Sequence, residues 1–202
     1  MFKKVPQQER SRAMVEDILA AATRVLSERP LNTVSTNLLA EVAGVSVGSL
    51  YQYFDSKQAI VETLLEQHRH DCMVLANAAL VDGSGKRMID RSRTVLRELL
   101  ALHERQRTLH VSFTQVQNAC SSLATPEHAE HARFFASLLA EEFPNLSDAT
   151  SLMHTQALMR IINTLLHGAL ELPVHHLDHL VVEHFDAFAS AYIRALERDA
   201  ST

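Results

Sequence analysis

Apolar residues recur three and four positions apart along almost the whole chain, the spacing that gathers them on one face of an α-helix. Val15, Ile18, Leu19, Ala22, Val25 and Leu26 predict a first helix from about Gln8 to Glu28. Arg29-Pro30 stops it, because the residue before a proline avoids the helical region. Ser35 or Thr36 then caps a second helix that turns Leu39, Ala40 and Ala43 inward. Gly44 interrupts the pattern, and Ser46 is placed to cap a short third helix. A fourth opens at Asp55-Ser56-Lys57-Gln58, where Asp55 and Gln58 are spaced as a capping box. It continues through Ile60, Val61, Leu64, Leu65, Cys72, Leu75 and Ala79 to the loop Asp82-Gly83-Ser84-Gly85-Lys86. Further helices are predicted over 87–106, 108–122, 127–142, 148–171 and 175–198, broken at Thr125-Pro126, Phe143-Pro144-Asn145 and Leu172-Pro173. No segment alternates at period two for long enough to make a strand. The expectation is an all-α chain of about nine helices. A three-helix domain over 1–55 precedes a larger helical domain over 56–202, with a helix over 56–80 linking the two.

The stretch from Leu39 to Phe54 is the most informative part. It reads as a helix, a sharp glycine turn and a second short helix, the layout that delivers one helix into the major groove of DNA. Ala40 is small enough for two helices to cross closely over it. Gly44 can take a left-handed backbone at little steric cost, and Val45 and Leu50 point back into the angle between the helices. Ser46, Val47, Gly48, Ser49, Tyr51 and Tyr53 then make a face of small or hydroxylated residues without an acid. Small residues let a backbone approach base edges, and hydroxyls bond phosphate oxygens. Ordinary core packing is the alternative for Tyr51, Tyr53 and Phe54. The hydroxyls of Ser35 and Thr36 sit at a helix N-terminus, a natural place for a phosphate. Lys57 falls in a first helical turn, where the dipole disfavours a cation, so an outside anion is expected near it.

Ala43-Gly44-Val45-Ser46, Gly48-Ser49-Leu50-Tyr51, Tyr53-Phe54 and Lys57, in this order, resemble the DNA-binding domain of TetR family transcriptional regulators. Ile18-Leu19-Ala20-Ala21-Ala22 and Leu26 are similar to that family's first helix. The resemblance covers roughly residues 10 to 65. It implies a helix-turn-helix reader, a phosphate contact at Lys57, a homodimer and a ligand cavity in the larger domain. Two departures stand out. Arg29-Pro30 replaces the glycine that usually ends the first helix, and Asn37 and Leu38 stand where charged residues are common.

Charge and composition narrow this picture. The chain has 202 residues, 47% of them hydrophobic, and a net charge of −5. Residues 1–60 hold seven basic against six acidic residues, and residues 61–202 hold twelve against eighteen. The small surplus at the N-terminal end suits a modest number of phosphate contacts. Lys3, Lys4, Arg10 and Arg12 form either an arm along the DNA or a solubilising tail. No apolar run approaches the roughly 20 residues that span a bilayer, and no apolar core follows Lys3 and Lys4 as in a secretory signal. A cytoplasmic protein is expected. Cys72 and Cys120 form no CxxC pair and are expected to be buried thiols.

The last two helices carry broad apolar surface, including Ile162, Leu166 and Leu170 on one and Val181, Phe185, Phe188 and Tyr192 on the other. Such helices need cover on two sides. Either a monomer core or a two-fold dimer supplies it. A dimer presents two readers about 34–36 Å apart to a near-palindromic operator in double-stranded DNA. Phe113, Cys120, Phe134, Met153 and His154 are candidates to line a pocket for a small apolar or amphipathic effector, although core packing accounts for them equally well. All twelve histidines lie between His68 and His184. Pairs such as His175 with His179 and His128 with His131 could bind a metal, but no HExxH or Glu-x-x-His spacing accompanies them. No GxSxG, Walker or dinucleotide fingerprint occurs. The reading is a ligand-responsive transcriptional regulator, a repressor, with no cofactor, no metal and no catalytic residue. The alternatives are a regulator sensing metal, haem or redox state through His and Cys, or a helical enzyme.

Overall fold

The computed structural model describes residues 9–82, 87–107, 109, 112–113, 126–170 and 177–199. These residues form eight α-helices and one 3₁₀ turn, with no strand among them. The helices are α1 (Glu9–Glu28), α2 (Thr36–Ala43), α3 (Val47–Tyr53), α4 (Lys57–Asp82), α5 (Met88–Arg105), α6 (Pro126–Glu142), α7 (Asp148–Leu170) and α8 (Leu177–Asp199), and the 3₁₀ turn is Leu31–Thr33. The helix expected over 108–122 and the loop at 83–86 fall mostly or wholly outside the described residues. No described helix is long and apolar enough to cross a membrane.

The chain divides into two compact units, one of residues 1–71 and 106–121, the other of 72–105 and 122–202. The first unit thus continues past residue 55, because Ile60, Val61, Leu64 and Leu65 of α4 belong to its core. The predicted face of α1 is buried there: Val15, Ile18, Leu19, Ala22, Val25 and Leu26. α1 ends at Glu28, and Pro30 leads into the 3₁₀ turn in an extended conformation. Ser35, rather than Thr36, caps α2, its side chain accepting from the Leu38 N–H.

Gly44 ends α2 with φ 68° and ψ 26°, and it is the one positive φ among the described residues. Its N–H donates to Glu41 O at 3.1 Å and the Val45 N–H donates to Ala40 O at 3.0 Å. That pair of bonds is a Schellman motif, which satisfies carbonyls a helix end would otherwise strand. The chain is thereby turned so that α3 packs on α2. Leu50 and Phe54 are fully buried and Ala40 is 1% exposed. One expectation is corrected at α4. Ser56, not Asp55, accepts from the Ala59 N–H, because the helix begins at Lys57 and the cap is the residue just before it.

In the second unit α5 packs against α6, α7 and α8, α6 against α7, and α7 against α8. Pro126 opens α6 at the position where a missing N–H does no harm. Ser147 caps α7 by accepting from the Thr150 N–H. The Glu142 carboxylate of α6 accepts from the Met88 N–H at the start of α5, where an anion also suits the helix dipole. The core joins Ala76 and Leu80 to Ile89, Leu96 and Leu99, and to Leu166, Phe185 and Ala189.

A Gly44→Ala substitution isolates the backbone term at the turn, since a Cβ there meets nothing within 4 Å. It is expected to lower stability by about 1 kcal/mol through torsion alone. Gly44→Asn should lose less. Urea unfolding of the three proteins measures both, and an alanine variant as stable as the parent would contradict the assignment.

Candidate nucleic-acid interface

α3 buries Leu50 and turns the opposite side outward. Val47 is 36% and Tyr51 44% exposed, and Ser46, Gly48 and Gln52 are exposed beside them. Ser49 is half-buried. Ser46, Val47, Gly48, Ser49 and Tyr51 are therefore brought together as one acid-free patch. Tyr53 is a correction. It is 7% exposed and belongs to the core of the first unit, beside the fully buried Phe54.

The hydroxyls of this patch are engaged with one another. Ser46 Oγ accepts from the Ser49 N–H at 3.0 Å and shares a 2.8 Å hydrogen bond with Ser49 Oγ. Thr36 Oγ1 and Tyr51 Oη share another at 3.0 Å, tying the start of α2 to the reading helix. In each hydroxyl pair one proton is used and the other remains to be donated outward. Ser35, Thr36 and Tyr51 thus sit together, with a hydroxyl proton to spare at the α2 N-terminus.

Lys57 is partly engaged within the chain. Its ammonium donates to Leu31 O at 2.8 Å and to Val34 O at 2.7 Å. These carbonyls, at the 3₁₀ turn and just before α2, bring partial negative charge to the cation, and Leu31 O also accepts from the Val34 N–H at 3.2 Å. Two of the ammonium's three N–H groups are used in this clamp. Gln52, which the sequence reading passed over, joins the exposed face. Its position four residues after Gly48 was the available signal.

The residues expected around an effector separate. Phe113 is 1% exposed within the core of the first unit, next to Leu109 and with the His68 ring 5.5 Å away. Phe113 is thus grouped with the first unit rather than with the larger one. Met153 is 59% exposed, so it walls no enclosed cavity. Phe134 is half-buried beside Phe135. His154 is half-buried, its Nδ1 hydrogen-bonded to Tyr192 Oη and its ring edge-on to that tyrosine. Burial raises the Tyr192 pKa above its ordinary value, which keeps the hydroxyl neutral. Cys120 lies outside the described residues. Cys72 is half-buried, with its sulfur within 4.8 Å of a ring nitrogen of His103.

The expected dimer residues also divide. Leu166 is 2% and Phe185 1% exposed within a single chain. Both are core residues of the second unit, removed from water within a single chain. Ile162, Phe188 and Tyr192 remain half-buried. The side chains of Leu170 and Val181 lie outside the described residues.

Residues 18–64 match the sequence profile of bacterial regulatory proteins of the tetR family. The HTH-type transcriptional regulator EthR of Mycobacterium tuberculosis is 46% identical over 50 residues, covering 25% of this chain and 23% of EthR. The match thus spans under a quarter of that relative's length. A solved TetR-family regulator from Pectobacterium atrosepticum superposes with a TM-score of 0.71 at 16% identity, covering 95% of this chain and 97% of its own. One from Streptomyces coelicolor gives 0.64 at 19% identity, covering 91% and 99%. These likenesses extend the fold over the second unit.

Removing the clamp with Lys57→Met leaves the Leu31 and Val34 carbonyls without their charged donor. An unfolding free energy lower by about 1–3 kcal/mol is expected, read from urea melts. Unchanged stability would mean that the clamp holds nothing in place.

Proposed function

We propose that the chain, whose residues 18–64 match the profile of the tetR family, is a homodimeric, DNA-binding transcriptional regulator, a repressor that a small effector releases from its operator. The observation that carries this reading is the outward face of α3. Val47, Gly48, Ser49 and Tyr51 stand on a short helix whose inward side is locked by Leu50. Ser46, Val47, Gly48, Ser49 and Tyr51 meet the major groove, and Ser35 and Thr36 donate to phosphate oxygens. Lys57 holds the frame that presents them.

A two-fold dimer places two such faces on a near-palindromic site. The second unit has apolar surface to build it. On α8 Phe188, Ala191 and Ala195 recur at three and four positions, with Phe188 and Ala195 half-buried and Ala191 exposed. Small residues allow a second helix to approach closely, and on α7 Leu158, Ile161 and Ile162 are also incompletely covered.

The second unit also has the makings of an effector site. Asn77 Oδ1 and Ser151 Oγ are buried without a hydrogen-bond partner among the described residues. A bound amphipathic molecule supplies such a partner while its apolar part lies against the core side chains. It shifts the balance between DNA-competent and DNA-incompetent dimers, with a coupling of about 1–3 kcal/mol typical of such systems.

Two measurements test this reading. Gel shifts on the DNA upstream of the chain's own gene should show a complex that Tyr51→Ala weakens tenfold or more while the dimer persists; wild-type affinity in that variant would refute the assignment. Phe188→Glu should give a monomer by analytical ultracentrifugation. Leu166→Ala and Phe185→Ala should instead keep the dimer mass and lower the unfolding midpoint.

A further inference from the structure

The polar side chains on the exposed side of α3 are not equivalent. The Ser46 and Ser49 hydroxyls are bonded to each other, and the Tyr51 hydroxyl is bonded to Thr36. Gln52 is exposed and its amide has no hydrogen bond among the described residues. Unlike the hydroxyls, it offers a free donor and a free acceptor on two separate atoms of one planar group. That pairing matches the N6 donor and N7 acceptor of adenine in the major groove.

Gly48 gives a second, independent indication. It lies within a helix at negative φ, so the backbone does not require glycine. A Cβ there would meet only Ser46 Oγ, at 3.8 Å, which is ordinary contact. Packing does not require glycine either, and a helix interior disfavours it. The space is therefore kept for something outside the chain. A helical side chain leans over the turn that precedes it, so the Gln52 amide lies toward Gly48, one turn back. The methyls of Val47, 36% exposed, adjoin this lane and suit a thymine methyl.

We infer that Gln52 is a specificity-determining residue that reads one adenine per half-site by a bidentate hydrogen bond, in room that Gly48 leaves clear. The inference rests on the DNA-reading assignment above and goes beyond it by naming the base and the side chain.

The test enriches duplexes from a randomised DNA library with the full-length protein, then measures affinities for the enriched duplex changed one base pair at a time. The wild type should show an A·T pair whose replacement weakens binding about 5- to 150-fold. Gln52→Ala should flatten the preference at that pair alone. Gln52→Arg should move it to guanine. Gly48→Ala should melt at a higher temperature yet bind the enriched duplex more weakly, an outcome that a purely structural role for the glycine does not give. If Gln52→Ala, folded by its melting curve, keeps the wild-type preference at every pair, the inference is overturned. If the wild type enriches no duplex, the DNA-reading assignment itself fails, and this inference with it.

Discussion

The backbone reversal at Gly44 is the constraint on which the first unit depends. One residue at φ 68° closes α2, delivers two carbonyls to the next two N–H groups and sets the direction of α3. Leu50 can then reach the core fully buried, and burial of a leucine of this kind contributes about 1.5–3 kcal/mol. With Leu50, Tyr53 and Phe54 inside, Val47, Gly48, Tyr51 and Gln52 are left exposed. The face proposed to read DNA is thus the complement of the core, set by the same few side chains.

The hydrogen bonds around that face divide its polar groups into those already engaged and those still available. Lys57 grips the carbonyls before α2, and Thr36 grips Tyr51. A group already engaged costs little to present, because its rotamer freedom was lost on folding rather than on binding. Such preorganisation suits phosphate contacts, which fix register. Base readout asks for a side chain whose donors and acceptors are still available.

Much of this was legible in the chain. The three-and-four spacing of apolar residues located α1, α5, α6 and α7 to within a residue or two at each end. Gly44 and Ser46 announced the turn and the next cap. What escaped depended on distant partners. Nothing near Lys57 reveals that carbonyls 26 and 23 residues earlier will receive its ammonium. An apolar stripe on α7 or α8 looks the same whether a neighbouring helix or a second subunit covers it, so the spacing did not show that Leu166 and Phe185 are buried within a single chain. Phe113 was misplaced because nothing in the sequence signals that residues 106–121 rejoin the first unit. Tyr53 was missed because its hydroxyl drew attention away from its position beside Phe54.

α3 has seven residues, well below the roughly 12–15 that an isolated helix needs to persist in water. Its shape is therefore on loan from α2, α4 and the core beneath. The segment Val47–Tyr53 excised as a peptide, or spliced onto a foreign scaffold, carries the letters of the recognition surface without its spelling order in space. Any transplant therefore has to carry the core of the first unit along with α3.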